Sequence, residues 1–200
     1  GSSWEICGAL PISLAGEHSE SVPALFHGDT GGLLAGSGQE ALFVTTDQCE
    51  SWASLPSGLE VAYGGTGNAT EPAQAWVHLA LEGSTGLVAG FGGARTSSDG
   101  GSTWRPSALI RNRYTRAVAL SSDWPESSRV FAAGYGGGVT RSDDGGETWA
   151  GSATGLDPEV VAYDLLSVPG APEVLLYAGL SALFRSNDSG ATWEPVAVPM

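Results

Sequence analysis

An eight-residue motif ending in tryptophan recurs along this chain and constrains its fold more than any other feature. Four segments align on that tryptophan: TTDQCESW (Thr45 to Trp52), SSDGGSTW (Ser97 to Trp104), SDDGGETW (Ser142 to Trp149) and SNDSGATW (Ser186 to Trp193). A truncated copy, GSSW, opens the sequence at Gly1 to Trp4. The tryptophans stand at 4, 52, 104, 149 and 193, so the intervals are 48, 52, 45 and 44 residues. A period in this range marks a repeat architecture, in which each supersecondary unit buries its apolar face against its neighbours.

The stretches between motifs repeat as well. Each unit carries an early apolar run (SVPALFHG, AWVHLALEG, TRAVALSS, VVAYDLLSV) and then a run ending in small residues (GGLLAGSG, TGLVAGFGG, RVFAAGYGG, VLLYAGL). A third run leads into the motif (ALFVTTD, ARTSSD, GVTRSDD, ALFRSND), and a fourth leaves it after the tryptophan, as in WEICGAL and WEPVAV. Helical periodicity is absent from every unit. Four short strands per roughly 45 residues is the size of a propeller blade. The 42% apolar content, 15% charge and 30 glycines fit short strands joined by tight turns. The expected fold is therefore all-β: a β-propeller of four-stranded antiparallel blades, about four in this chain plus an extra outer strand. One propeller domain or arc spans 1–200, with units near 5–52, 53–104, 105–149 and 150–193 and outer strands at 1–9 and 193–198.

The motif has its own physical logic, as the hairpin between the third and fourth strands. Asp47, Asp99, Asp144 and Asp188 can accept hydrogen bonds from nearby backbone N–H groups and hold the turn. Gly101, Gly146 and Gly190 can take positive φ without a Cβ penalty. Trp52, Trp104, Trp149 and Trp193 then pack over the turn and between blades. The first complete motif departs from the pattern, with Cys49 where the others have glycine. That turn is expected to be strained by about 1 kcal/mol or rebuilt. Cys7 stands three residues after Trp4 and Cys49 three before Trp52, on neighbouring repeats. One disulfide and two separate thiols are both open readings.

Motif and period resemble the Asp-box (BNR) repeat superfamily, which includes sialidases, sortilin-type receptors, xyloglucan-cleaving glycosidases and photosystem II assembly factors. The resemblance implies the blade and leaves function open, since one propeller carries many activities. The R-I-P signature that sialidases of this superfamily usually show before the first box is missing. Propellers it resembles have six or more blades, so the spare fourth strand implies a segment of a longer polypeptide, or a second chain completing the ring. Proteins in this superfamily mostly work outside the cytoplasm, which implies an extracytoplasmic location.

Charge narrows the partners. The formal net charge is −14, and all eight basic residues are arginines. Such an acidic chain lacks the basic footprint that nucleic acid or anionic membranes require. No apolar run approaches the roughly 20 residues of a membrane helix. No His/Cys cluster has metal-ligand spacing, and no glycine run precedes a helix as a phosphate loop does, so neither metal nor cofactor is expected. The one basic concentration is RNRYTR, where Arg111, Arg113 and Arg116 flank Tyr114 at the start of an innermost strand. This cluster can grip a carboxylate, a phosphate or an acidic partner surface. It resembles in kind the arginine patch of the photosystem assembly factors. Surface salt bridges are the plainer use of it. Asp164 interrupts the apolar run VVAYDLLSV and His78 the run AWVHLAL, so both are candidates for the central channel. No pair of acids declares a glycosidase by spacing. The long connection from Leu55 to Gln74 belongs on a blade rim, where Tyr63 and Trp76 can form a contact surface. Its sequon at Asn68, like that at Asn187 inside a box, matters only in a glycosylating host.

The function expected from these residues is a non-enzymatic interaction or scaffold module with a protein partner, such as an assembly factor or accessory subunit. The alternative is a glycoside hydrolase or a carbohydrate-binding receptor propeller.

Overall fold

The structure, a computed structural model, describes residues 24–27, 33–36, 42–45, 47, 50–55, 76–90, 93–107, 115–124, 126–136, 138–157, 161–180 and 182–197. Among them are sixteen short strands and no helix. They form four antiparallel sheets of four strands, each sheet built from consecutive strands. The first holds β1 (Ala24–His27), β2 (Leu33–Gly36), β3 (Leu42–Thr45) and β4 (Ala53–Leu55). The second holds β5 (Trp76–Glu82), β6 (Thr85–Gly90), β7 (Gly93–Ser97) and β8 (Arg105–Pro106). The third holds β9 (Thr115–Leu120), β10 (Val130–Gly134), β11 (Val139–Ser142) and β12 (Ala150–Gly151). The fourth holds β13 (Ala162–Ser167), β14 (Leu175–Gly179), β15 (Leu183–Ser186) and β16 (Glu194–Pro195). Every sheet takes in the strand that follows its box tryptophan, so each box is the hairpin between a blade's third and fourth strands.

The blades pack face to face in chain order, with β1 beside β5, β5 beside β9 and β9 beside β13. Strand alternation sorts the core into layers. Between the second and third blades lie Leu87, Ala94, Val118, Leu120, Val130 and Ala132. The residues of β9 and β10 that alternate with these (Ala117, Ala119, Phe131 and Ala133) face the fourth blade. There they meet Leu165, Leu175, Tyr177 and Trp193. Tyr177 is fully buried and packs edge-on against Phe184 and Trp193, with centroids 5.9 Å apart in both pairs. Burial raises the pKa of its phenol.

Three innermost strands share an irregularity. On β5 the pairing passes from His78↔Ala89 to Trp76↔Gly90. On β9 it passes from Ala117↔Ala133 to Thr115↔Gly134, and on β13 from Asp164↔Ala178 to Ala162↔Gly179. Each strand thus holds one extra residue at the same place: Val77, Arg116 and Tyr163. A β-bulge of this kind bends the strand and re-aims the inserted side chain.

Candidate functional site

The boxes come first, because they carry most of the sequence signal. In the third blade the Ser142 hydroxyl donates to Asp144 Oδ1 at 2.6 Å and accepts the Gly146 N–H at 2.8 Å. Asp144 in turn accepts from the Thr148 N–H at 2.8 Å and from the Thr148 hydroxyl. Ser97, Asp99, Gly101 and Thr103 repeat this arrangement, as do Ser186, Asp188, Gly190 and Thr192. Hydrogen bonds to the ionised form lower the pKa of Asp47, Asp99 and Asp144 to about 2. The Asp188 pKa is lowered by the same kind of contacts, those from Thr192 foremost. The glycines take the left-handed conformation, with φ of 84° at Gly101, 95° at Gly146 and 83° at Gly190. Each aspartate is saturated by its own turn, which leaves it unsuited to proton transfer.

The tryptophans close the turns. Trp104 Nε1 donates to the Gly101 carbonyl at 2.9 Å and Trp149 Nε1 to the Gly146 carbonyl at 3.0 Å. Trp193 Nε1 reaches back to the Ser152 carbonyl of the preceding blade at 2.8 Å. At the first box, Asp47 still accepts from the Ser51 N–H at 3.0 Å. The Trp52 indole nitrogen, however, is buried with no hydrogen-bond partner among the described residues. Cys49, at the position of the box glycine, lies outside the described residues, as does Cys7.

Arg116 is the bulge residue of β9 and stands at a different kind of place. Its guanidinium carbon lies 5.0 Å from the ring centroid of Tyr163, the bulge residue of the next blade, and 5.7 Å from that of Tyr135, just beyond β10. Both rings are 49% exposed. Cation–π contact holds the guanidinium against the two faces. The other arginines with described partners bind carboxylates instead. Arg105 pairs with Glu147, while Arg129 and Arg141 converge on Asp143. No carboxylate pairs with Arg116 among the described residues. Arg111, Arg113 and Tyr114, expected beside it, lie outside the described residues, as do Tyr63 and Asn68 of the long connection. The sequence singled out Arg116 but not Tyr135 or Tyr163, because the bulges that carry Arg116 and Tyr163 show only in the strand pairing.

His78 and Asp164 share one register position, which Ala117 fills on the third blade. Leu165 points into the core against the third blade, so Asp164 and Leu166 project from the opposite face, and both are exposed. Asp164 Oδ1 accepts the Leu165 N–H at 2.8 Å. Among the described residues, no group of three or more His, Cys, Asp or Glu side chains can hold a metal ion.

No protein-family model and no curated protein matches the chain. Solved structures do. An ancestral GH74 enzyme aligns with a TM-score of 0.62 and 16% identity over 84% of this chain and 23% of its own. The GH74 xyloglucanase from Xanthomonas campestris aligns at 0.61 with 20% identity, over 84% and 28%. YCF48 bound to a D1 peptide aligns at 0.55 with 19% identity, over 93% and 55%. YCF48 from Cyanidioschyzon merolae aligns at 0.57 with 16% identity, over 92% and 61%. The chain thus spans about a quarter of these GH74 structures and just over half of the YCF48 ones. At these identities the likeness establishes the fold, an all-β propeller arrangement, and leaves the activity open.

Proposed function

We propose that this chain is a non-enzymatic interaction module that docks an acidic or carboxylate-bearing segment of a protein partner on Arg116, Tyr135 and Tyr163. The observation that carries the reading is the arginine itself. It is held by two half-exposed rings in a chain of net charge −14, on a bulged innermost strand. Packing on ring faces leaves the in-plane N–H edge of a guanidinium to grip a carboxylate in bidentate fashion. The YCF48 neighbour bound to a D1 peptide supplies a precedent for peptide binding on this fold. A location outside the cytoplasm belongs to the same reading.

The test is a peptide array that compares acidic peptides, with free and amidated C-termini, against neutral ones. Binding should favour the carboxylate-bearing peptides and fall at least tenfold in Arg116→Ala, about 1.4 kcal/mol. Equal binding by the variant would remove the proposal.

A second reading, a carbohydrate-active propeller, draws on the exposed ring of Tyr163 beside Asp164 and on the GH74 neighbours. Release of reducing ends from xyloglucan, lost in Asp164→Asn, would replace the first reading with this one.

A further inference from the structure

We infer that the docking site continues from Arg116 onto the fourth blade, where Tyr163 and Leu180 form an apolar subsite. Its ligand is then an extended peptide segment with a bulky apolar side chain about three residues from its carboxylate. The inference rests on the reading of Arg116 given above and sharpens the partner it takes.

Four large apolar side chains are exposed among the described residues: Tyr135, Tyr163, Leu166 and Leu180, the last at 66%. A single exposed apolar residue needs no explanation, whereas a contiguous group marks an interaction surface. Strand pairing gathers three of these four at one end of the third and fourth blades. In the third blade, Gly134 pairs with Thr115, immediately before the bulge residue Arg116, and Tyr135 follows Gly134. In the fourth, Gly179 pairs with Ala162, immediately before the bulge residue Tyr163, and Leu180 follows Gly179. The two arrangements are the same, one repeat apart. In the third blade this geometry sets the Tyr135 ring against the Arg116 guanidinium. In the fourth it sets Leu180 beside Tyr163. Tyr163 in turn meets Arg116 across the seam, with the guanidinium carbon 5.0 Å from its ring centroid. The order along the arc is therefore Tyr135, Arg116, Tyr163, Leu180: a cation between two rings, followed by an apolar step.

This order selects a ligand. The guanidinium edge of Arg116 takes the carboxylate. Leu180 has no polar group and adds nothing to that grip, so only an apolar group gains by covering it. A sugar ring can stack on a tyrosine face, but the branched chain of Leu180 offers no flat face to a second sugar. A peptide side chain packs on both. Packed sheets lie about 10 Å apart and an extended chain advances about 3.3 Å per residue, so about three residues carry a peptide from one blade to the next. Leu180 is thus the residue that sets which carboxylate-bearing segments bind.

The experiment titrates the intact chain, followed by NMR, with glycine-serine peptides that have amidated C-termini. Each peptide carries one glutamate, alone or with one leucine at increasing separation on either side. Leucine at a separation of about three residues should tighten binding about fivefold over glutamate alone. Leu180→Ser should remove that gain and leave the glutamate-only peptide unaffected, whereas Leu180→Met should keep the gain. Because Leu180 is exposed, Leu180→Ser should melt as the parent chain does. Arg116→Ala should weaken every peptide. If leucine adds nothing at any separation, if Leu180→Ser keeps the gain, or if that variant weakens all peptides alike, the apolar subsite is overturned. Binding of the glutamate-only peptide that still depends on Arg116 would then leave the carboxylate reading standing. If no peptide binds, or if Arg116→Ala binds them as the parent does, both readings fall together.

Discussion

The third and fourth blades are built from the same pattern and end up in different surroundings. Every residue of β10 is buried, and β9 is buried except for the bulge residue Arg116. On β13 and β14 the burial alternates: Ala162, Leu165, Leu175 and Tyr177 are buried, whereas Tyr163, Asp164 and Leu166 are exposed. Phe131 and Leu176 make the contrast concrete, since each pairs with the arginine one residue before its box serine. Phe131 is 0% exposed between two blades. Leu176 is only half-buried, and Leu166 on the same face is 54% exposed. An apolar residue in this fold is thus committed to the core only when a second blade covers it.

The largest test of that contrast removes both side chains separately. Phe131→Ala should cost about 3–5 kcal/mol in a denaturant melt, whereas Leu176→Ala should cost less than about 2 kcal/mol. Equal costs would mean that the two faces are covered alike.

Next comes the seam that joins the two blades. Gly155 has φ of 94°, and a Cβ there would overlap the Trp193 carbonyl oxygen. The chain cannot back away easily, because the Trp193 N–H donates to the Thr154 carbonyl at 2.8 Å. Gly155→Ala should therefore destabilise by roughly 1–3 kcal/mol. Gly151→Ala, on the exposed edge strand β12 with open space around its Cβ position, should stay within about 0.5 kcal/mol. Similar melts for the two variants would deny the close approach at the seam.

The smallest effect separates what the blades share from what they do not. Asp144 and Asp188 both have pKa values below the ordinary 3.8, that of Asp144 at about 2. A depressed native value means that ionisation favours the folded state. The contribution is whole above about pH 4 and is lost as pH falls through the native value. Melting temperature should hold from pH 6 to 4 and then decline toward pH 2. Asp144→Asn should flatten that decline, and so should Asp188→Asn despite its more exposed blade. An unaltered acid slope in both variants would show that the boxes do not contribute it.

The period, the number of strands per unit and the position of each box hairpin were legible in the chain itself. All three follow from local chemistry: a serine and an aspartate that bond within eight residues, a glycine that accepts positive φ, and a tryptophan that covers the turn. Arg116 was legible as part of a basic cluster for the same local reason. Its partners were not, because Tyr135 lies just past the neighbouring strand of its own blade and Tyr163 on the next blade, and only packing brings three such residues together. Asp164 shows the limit most plainly. It interrupts an apolar run, and a bulge one position earlier shifts the alternation there. With Leu165 turned inward, Asp164 projects from the opposite face of the sheet. The repeating chemistry of the boxes set the blades and their period. Which face is buried, and which side chains meet across a seam, was decided by the stacking of one blade on another, because burial is a property of two surfaces and a sequence describes one at a time.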